Sequence, residues 1–176
     1  MTSKKPRTDS HQGIPVNQQE RLVIAGWICG FVDGEGCFSV SLIRNQTTRS
    51  NWQVFPEFVV TQGEKSRAAL ELIQEYFQCG KIYLNRRHDN HRENLLRYCV
   101  RSRKDLLERI IPFFNQYPLR TEKKKDLEKF IDILSHMEKG DHKTEQGLKK
   151  IAQIIQNMNR KVPSKLLKSS ETTRPT

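Results

Sequence analysis

The sequence predicts an α+β domain of order αββαββα, with an antiparallel sheet and further helices after it. Two observations predict it. Apolar residues change their spacing along the chain, from helical over Gln19–Asp33 to alternating over Phe38–Ile43 and Trp52–Gln62. A second helix and two more short strands follow between residues 65 and 101. Strands that arrive in pairs and are separated by single helices pack as an antiparallel sheet with helices on one face.

Each element has its own reason. Gln19–Asp33 is apolar nearly all round, so this helix is expected to be buried on several sides. Ala25, Gly26, Cys29 and Gly30 are small and fall at helical neighbour spacing. They predict a second helix packed closely against the first, since glycines inside a helix otherwise cost stability. In the first strand Phe38, Val40 and Leu42 share one face and Ser39, Ser41 and Ile43 the other. Residues 44–51 have turn composition. In the second strand Val54, Pro56, Phe58 and Val60 oppose Gln53, Phe55, Glu57 and Val59. Pro56 predicts an edge position or a bulge, because proline cannot donate to a ladder.

Residues 65–77 read as a helix with Ala69, Leu70, Ile73, Tyr76 and Phe77 inward, closed by Cys79-Gly80. Lys81–Asn85 is a strand with Ile82 and Leu84 inward, and 86–93 a polar loop. Leu95–Arg101 is the fourth strand, with Arg97 outward if Tyr98 and Val100 point inward. Residues 103–114 form an amphipathic helix. After Pro118, Thr121 caps a helix to about Met137, and Thr144 caps a last one bearing Leu148, Ile151, Ile155 and Met158. Residues 1–18 and 161–176 are polar and read as flexible tails around one domain, 19–160.

Composition narrows the function. Apolar residues make up 35% of the chain and charged residues 29%, which suits a folded globular domain. The net charge of +11 calls for a polyanion, and nucleic acid comes first, because neutralised phosphates release counterions. No apolar run approaches the roughly 20 residues that span a bilayer. Cys29, Cys37, Cys79 and Cys99 lack the close spacing of a zinc site. The first twenty residues carry no secretory pattern. An intracellular, reducing setting is therefore expected, such as an organelle (chloroplast or mitochondrion) or a bacterial cytoplasm.

The stretch that carries chemistry is Trp27 to Gly36, WICGFVDGEG. An apolar helix with close-packing glycines runs into a carboxylate–glycine turn and delivers Glu35 beside the first strand. Ile28–Gly36 resembles, residue for residue, the nine-residue motif of the LAGLIDADG homing endonucleases. Cys29 stands for the usual alanine and Glu35 for the usual aspartate. The following strand, the segment VTQ at 60–62 and Ile110–Asp126 are also similar to the family, so the resemblance covers about residues 20–135.

The resemblance implies a saddle-shaped antiparallel sheet lying on double-stranded DNA. It also implies Mg²⁺-dependent cleavage of both strands, leaving 3′ overhangs, as part of intron homing. The motif occurs once, which implies a homodimer paired through Ala25, Gly26, Cys29 and Gly30 on a nearly palindromic site. Glu35 and the Gly34 carbonyl would hold Mg²⁺, a hard cation suited to oxygen ligands, with Mn²⁺ or Ca²⁺ able to replace it. By position, Gln62 would orient the attacking water, and Lys123 would stabilise charge near the scissile phosphate, with Lys124 as the alternative register. Arg67 is a further basic candidate.

Base readout in the major groove would fall to outward residues of the sheet. These are Ser39, Ser41, Ile43, Arg44 and Asn45, then Gln53, then Lys81, Tyr83, Asn85 and Arg86, and Arg97. Glu57 is unexpected on such a face. His88 and His91 suit a loop touching backbone, and Lys143, Lys149, Lys150, Arg160 and Lys161 suit phosphate contacts, which carry no sequence information. Two other readings of the same fold stand beside the endonuclease. One is an RNA-binding intron maturase; the other is a DNA-binding protein without cleavage.

Overall fold

The computed structural model of the chain describes residues 17–48, 50–86 and 93–158. Helix α1 is Gln18–Glu35. It begins earlier than the periodicity indicates because the Asn17 side chain accepts from Gln19 N at 3.0 Å and caps it. Asn17 and Gln18 therefore belong to the domain. The rest of the expected tails lies outside the described residues, as do Arg87, His88, His91, Arg160 and Lys161.

Helix α1 also runs further than expected, so Glu35 is its last residue and not one beyond it. The chain then turns straight into a strand at Gly36, whose N–H bonds to Val32 O. A Cβ on Gly36 would sit 2.6 Å from Val32 Cγ1 and 2.8 Å from Val32 O. Only glycine lets the strand start this close to the helix.

Strands β1 (Gly36–Arg44), β2 (Trp52–Gly63), β3 (Lys81–Asn85) and β4 (Leu95–Val100) form one antiparallel sheet in the order β1-β2-β4-β3. Helix α2 is Arg67–Phe77. Helix α3 is one run in three parts: Arg103–Asp105, a π-helical Leu106–Ile110, and Ile111–Gln116. Helices α4 (Lys123–Glu138) and α5 (Glu145–Gln156) follow. The order αββαββα with added helices is thus present. Among the described residues, no helix is long and apolar enough to cross a membrane.

One face of the sheet carries the core. Phe38, Val40, Phe58, Val60, Leu96, Tyr98 and Val100 are buried there with Ala25, Ile28 and Val32 of α1, Leu70 and Ile73 of α2, and Phe130 of α4. Phe38 stacks on Phe58 at 5.0 Å and meets Phe114 edge-on at 5.5 Å. Each such side chain contributes about 1.5–3 kcal/mol by burial.

Three local expectations change. Pro56 lies on an inner strand, but β4 ends at Val100 opposite Phe58, so the Pro56 edge of β2 has no ladder to break. Leu84 is 44% exposed although it has core parity, because β3 is an edge strand. Helix α2 is closed by Gln78 in the left-handed region (φ 51°), with Gly80 left-handed two residues later.

Candidate active site and nucleic-acid face

The acidic end of α1 is the first half of the site. Glu35 and Gly34 are exposed there, and a Cβ on Gly34 would meet nothing within 4 Å. Among the described residues, the Glu35 carboxylate makes no hydrogen bond or ion pair. Asp33, two residues earlier, is fully engaged: it accepts from Arg120 N at 2.7 Å, Thr121 N at 3.3 Å and Thr121 Oγ1 at 2.8 Å. Burial alone would push the Asp33 carboxyl up. The hydrogen bonds from Arg120 and Thr121, with the Lys123 charge, outweigh it and hold the group below its ordinary value. The two acids of the motif have separated roles, one structural and one open.

Lys123 follows from that anchor. With Arg120 and Thr121 tied to Asp33, α4 begins beside the end of α1. The Lys123 ammonium donates to Val32 O at 2.8 Å and Asp33 O at 3.0 Å. These are last-turn carbonyls, where a cation is favoured by the helix dipole. Burial pulls the ammonium below the usual lysine range, against the opposite pull of Cys37, Asp33, Glu35 and Asp126. Lys123, and not Lys124, occupies this position; Lys124 is exposed. An ammonium has three donors, and these carbonyls take two of them.

Gln62 is half-buried near the end of β2, paired in register with Leu96. It shares the parity of Val60, while Thr61 lies on the outer face. Arg67 is exposed and pairs with Glu71 at 3.6 Å.

The outer face of the sheet is the second half of the site. Ser39, Ser41, Ile43, Gln53, Lys81, Tyr83, Asn85 and Arg97 all have this parity, as the alternation predicts. The buried Tyr98 and Val100 fix the Arg97 register. Arg86 is exposed just after β3. Some of these groups are already in use. The Arg44 guanidinium lies 4.3 Å over the Trp52 ring, and Asn45 Nδ2 donates to Gln53 Oε1 at 2.9 Å. Asn45 Oδ1 also accepts from Thr47 N and Oγ1, which fixes the β1–β2 turn.

Glu57 corrects a simple reading of that face. It is 8% exposed, accepts from Arg97 Nη2 at 3.0 Å, and also accepts from Arg101 Nε. A carboxylate on a basic face is tolerated because two arginines neutralise it. Arg101 and Phe55 belong to the same cluster. Phe55 had the right parity in the sequence, but nothing there joined Arg101 to Glu57 across 44 residues.

The exposed side of α1 completes the surface. Leu22, Val23 and Trp27 are 50%, 68% and 38% exposed. A Cβ on Gly26 or Gly30 would meet nothing within 4 Å. Ala25 and Cys29 do not share this open side, contrary to the small-residue reading. Ala25 is buried in the core, and Cys29 Sγ donates to Tyr117 O at 3.2 Å. Burial and the Asp33 charge push the Cys29 thiol up to about 11, so it is an inert packing group.

Comparison with known proteins gives this geometry a family. A family model described as LAGLIDADG endonuclease matches residues 28–134. A probable intron-encoded endonuclease of Neurospora crassa is 36% identical over 164 residues, covering 91% of this chain and 35% of its own length. The DNA endonuclease I-CeuI of Chlamydomonas moewusii is 30% identical, over 84% of this chain and 66% of its own. The first curated relatives are thus much longer, and the chain spans about a third or less of them. A crystal structure of the homing endonuclease I-TnaI superposes with TM-score 0.73 at 37% identity, over 85% of this chain and 97% of that one. I-SmaMI bound to cleaved DNA superposes at 0.75 and 29% identity, over 86% of this chain and 49% of that one. With a motif helix, a four-stranded antiparallel sheet and a matched segment of this extent, the chain belongs to the LAGLIDADG endonuclease family.

Proposed function

We propose that this chain is a homing endonuclease that works as a symmetric pair and cuts both strands of a long, nearly palindromic DNA site. The observation that carries this is the placement of Glu35. Among the described residues it makes no hydrogen bond or ion pair. It ends a helix that has a polar first turn (Gln18, Gln19, Glu20 and Arg21) and whose exposed groups between residues 22 and 30 are Leu22, Val23, Gly26, Trp27 and Gly30. An apolar helix side broken by two open glycines suits a second copy of the same helix, related by a twofold. Pairing would then bring two Glu35 carboxylates close together over the duplex. The near-complete coverage of I-TnaI supports a unit of this size, and the half coverage of I-SmaMI supports pairing of two such units.

The donors fit a hard divalent cation. Among the described residues, no group of three or more His, Cys, Asp or Glu could hold a metal. At this end of α1 one chain offers the Glu35 carboxylate and the Gly34 carbonyl. Both are oxygen ligands, and both are exposed, so a second copy and the DNA phosphates would complete the shell. One relative in the family, I-SmaMI, has a structure bound to DNA with calcium ions. Mg²⁺ held here would supply positive charge to the phosphate and acidity to a bound water.

The chain's own groups do the rest. In hydrolysis a water oxygen bonds to phosphorus, the P–O3′ bond breaks, and O3′ takes a proton, leaving a 3′ hydroxyl and a 5′ phosphate. Glu35, exposed at the helix end, would hold the cation through its carboxylate oxygens. Lys123, whose ammonium spends two of its three N–H groups on Val32 O and Asp33 O among the described residues, stabilises charge as it develops on the phosphate. Gln62, at the neighbouring strand end, orients the water by its amide. The outer sheet residues set register and read bases, and the net charge of +11 supplies salt-dependent attraction. Relatives named as intron-encoded support an intron origin and an organelle as the host compartment.

The test is a plasmid library carrying random inserts, incubated with the protein with and without Mg²⁺. Linear product with 3′ overhangs at one recovered sequence, dependent on the metal, is expected. Sedimentation of the protein on that site should give two copies per duplex. Relaxation or linearisation that is independent of sequence, or one copy per site, would overturn the reading.

A further inference from the structure

The cluster around Glu57 is built more elaborately than a sheet that only follows phosphate requires. In register, β2 and β4 pair Phe58 with Val100, so Glu57 faces Arg101 across the strands just where β4 ends. Arg97, four residues earlier, reaches the other oxygen of the same carboxylate. Val59 and Cys99 have outer-face parity and yet are only 5% and 3% exposed. They lie between the two arginines in register, under the closed bridge. The Arg101 guanidinium is also flanked by two rings, with Phe55 at 5.6 Å and Tyr83 at 5.2 Å from its central carbon.

These contacts leave one part of Arg101 free. Its Nε is spent on Glu57, and its central carbon lies over the Phe55 and Tyr83 rings. Among the described residues, its Nη1 and Nη2 make no hydrogen bond. An arginine held at Nε and in contact with two rings has lost much of its rotamer freedom before any ligand arrives. The order that a duplex would otherwise have to impose is already present. The two Nη groups then form a fixed fork, and the matching edge in a major groove is guanine O6 and N7. The carboxylate also tempers the attraction for phosphate. With Arg97 and Arg101 around Glu57 the cluster carries a net charge of +1 in place of +2, so its pull on a phosphodiester is weaker than that of two unpaired arginines.

The geometry points to Arg101 as a guanine-reading residue in each half-site, with Glu57 as the residue that positions it. This rests on the DNA reading above and adds a base and an atom-level contact to it. Neither residue touches the reacting phosphate. Glu57 is therefore a specificity-positioning residue, and its presence on a basic face becomes a requirement of readout.

The experiment is selection of bound sequences from a randomised duplex DNA library in Ca²⁺, with the full chain as wild type, Arg101→Lys, Arg101→Ala and Glu57→Gln. Wild type should enrich a site with one guanine per half-site that is preferred by roughly five- to a hundredfold. Arg101→Lys keeps the charge and loses the fork. It should lose that one preference, retain the others, and keep the salt slope of binding. Glu57→Gln should weaken the same position and no other; circular dichroism on each variant checks folding, and Arg101→Lys serves if Glu57→Gln unfolds. If Arg101→Lys retains the guanine preference, or Arg101→Ala weakens all sequences equally and lowers the salt slope, the assignment is wrong and Arg101 is a phosphate contact. If wild type enriches no duplex at all, the DNA reading itself fails and takes this assignment with it.

Discussion

Thr121 donates both its backbone N–H and its hydroxyl to the Asp33 carboxylate, at 3.3 and 2.8 Å, across 88 residues of sequence. This bond ties the start of α4 to the end of α1. It sets Lys123 on the last carbonyls of the motif helix, next to Glu35. The first acid of the motif thus holds the framework that the second acid needs.

Asp33→Ala should therefore cost both stability and cleavage. Hydrogen bonds to charged groups contribute about 1.5–3 kcal/mol at most at a solvent-exposed site, and the loss of Asp33 removes three of them. Thermal unfolding measures the first effect and plasmid linearisation the second. The pH dependence has a definite sign. The folded Asp33 value lies below the unfolded value of 3.8. Its contribution is complete above pH 3.8 and is lost as pH falls through the folded value. Acid unfolding of Asp33→Ala should lack that component.

Lys123→Met should separate chemistry from folding. The ammonium sits below the usual lysine value of 10.5 because of burial, so its charge opposes folding at neutral pH and the penalty disappears above 10.5. Removing the charge should leave the fold and DNA affinity largely intact. Cleavage should fall by about 10²–10³-fold, as for loss of one charge-stabilising donor. Lys124→Met should change neither; single-turnover cleavage rates decide.

Gly30→Ala should act in opposite directions on the single chain and on the pair. Nothing lies within 4 Å of an added Cβ. Alanine should stabilise the helix in the isolated fold by up to about 1 kcal/mol. If a second α1 packs against this side, the same methyl holds the helices apart. Sedimentation equilibrium should show weaker self-association with an unchanged or higher melting temperature.

Gly36→Ala should fail for a different reason. Its Cβ would meet a backbone oxygen at 2.8 Å, and backbone cannot swing aside. A cost of about 1–3 kcal/mol is expected, with loss of cleavage as Glu35 is displaced. Thermal melts of Gly36→Ala and Gly34→Ala side by side test the contrast, since Gly34 has open space.

Element order and strand parity were legible in the sequence because they rest on local periodicity. The Trp27–Gly36 stretch marked Glu35 beside the first strand, although α1 runs two residues further than the periodicity and includes it. Phe38, Val40 and Leu42 announce a one-sided strand, and Arg97 could be placed once Tyr98 and Val100 were assigned inward. What was not legible depends on contacts far apart in the chain. Ala25 and Cys29 have the size of a helix contact but are turned to the core and to Tyr117, and size alone carries no direction. The anchoring role of Asp33 could not be read from the sequence, because its partners lie beyond residue 119. Arg101 joined no motif, since its meaning comes from Glu57 in register two strands away in sequence.

The most direct measurement is cleavage of the recovered target plasmid by Glu35→Gln in Mg²⁺, with DNA affinity measured in parallel. The prediction is tight, sequence-specific binding with the plasmid left supercoiled. Linear product formed by Glu35→Gln at the wild-type rate would contradict the assignment of Glu35 as the residue that makes this site cut DNA.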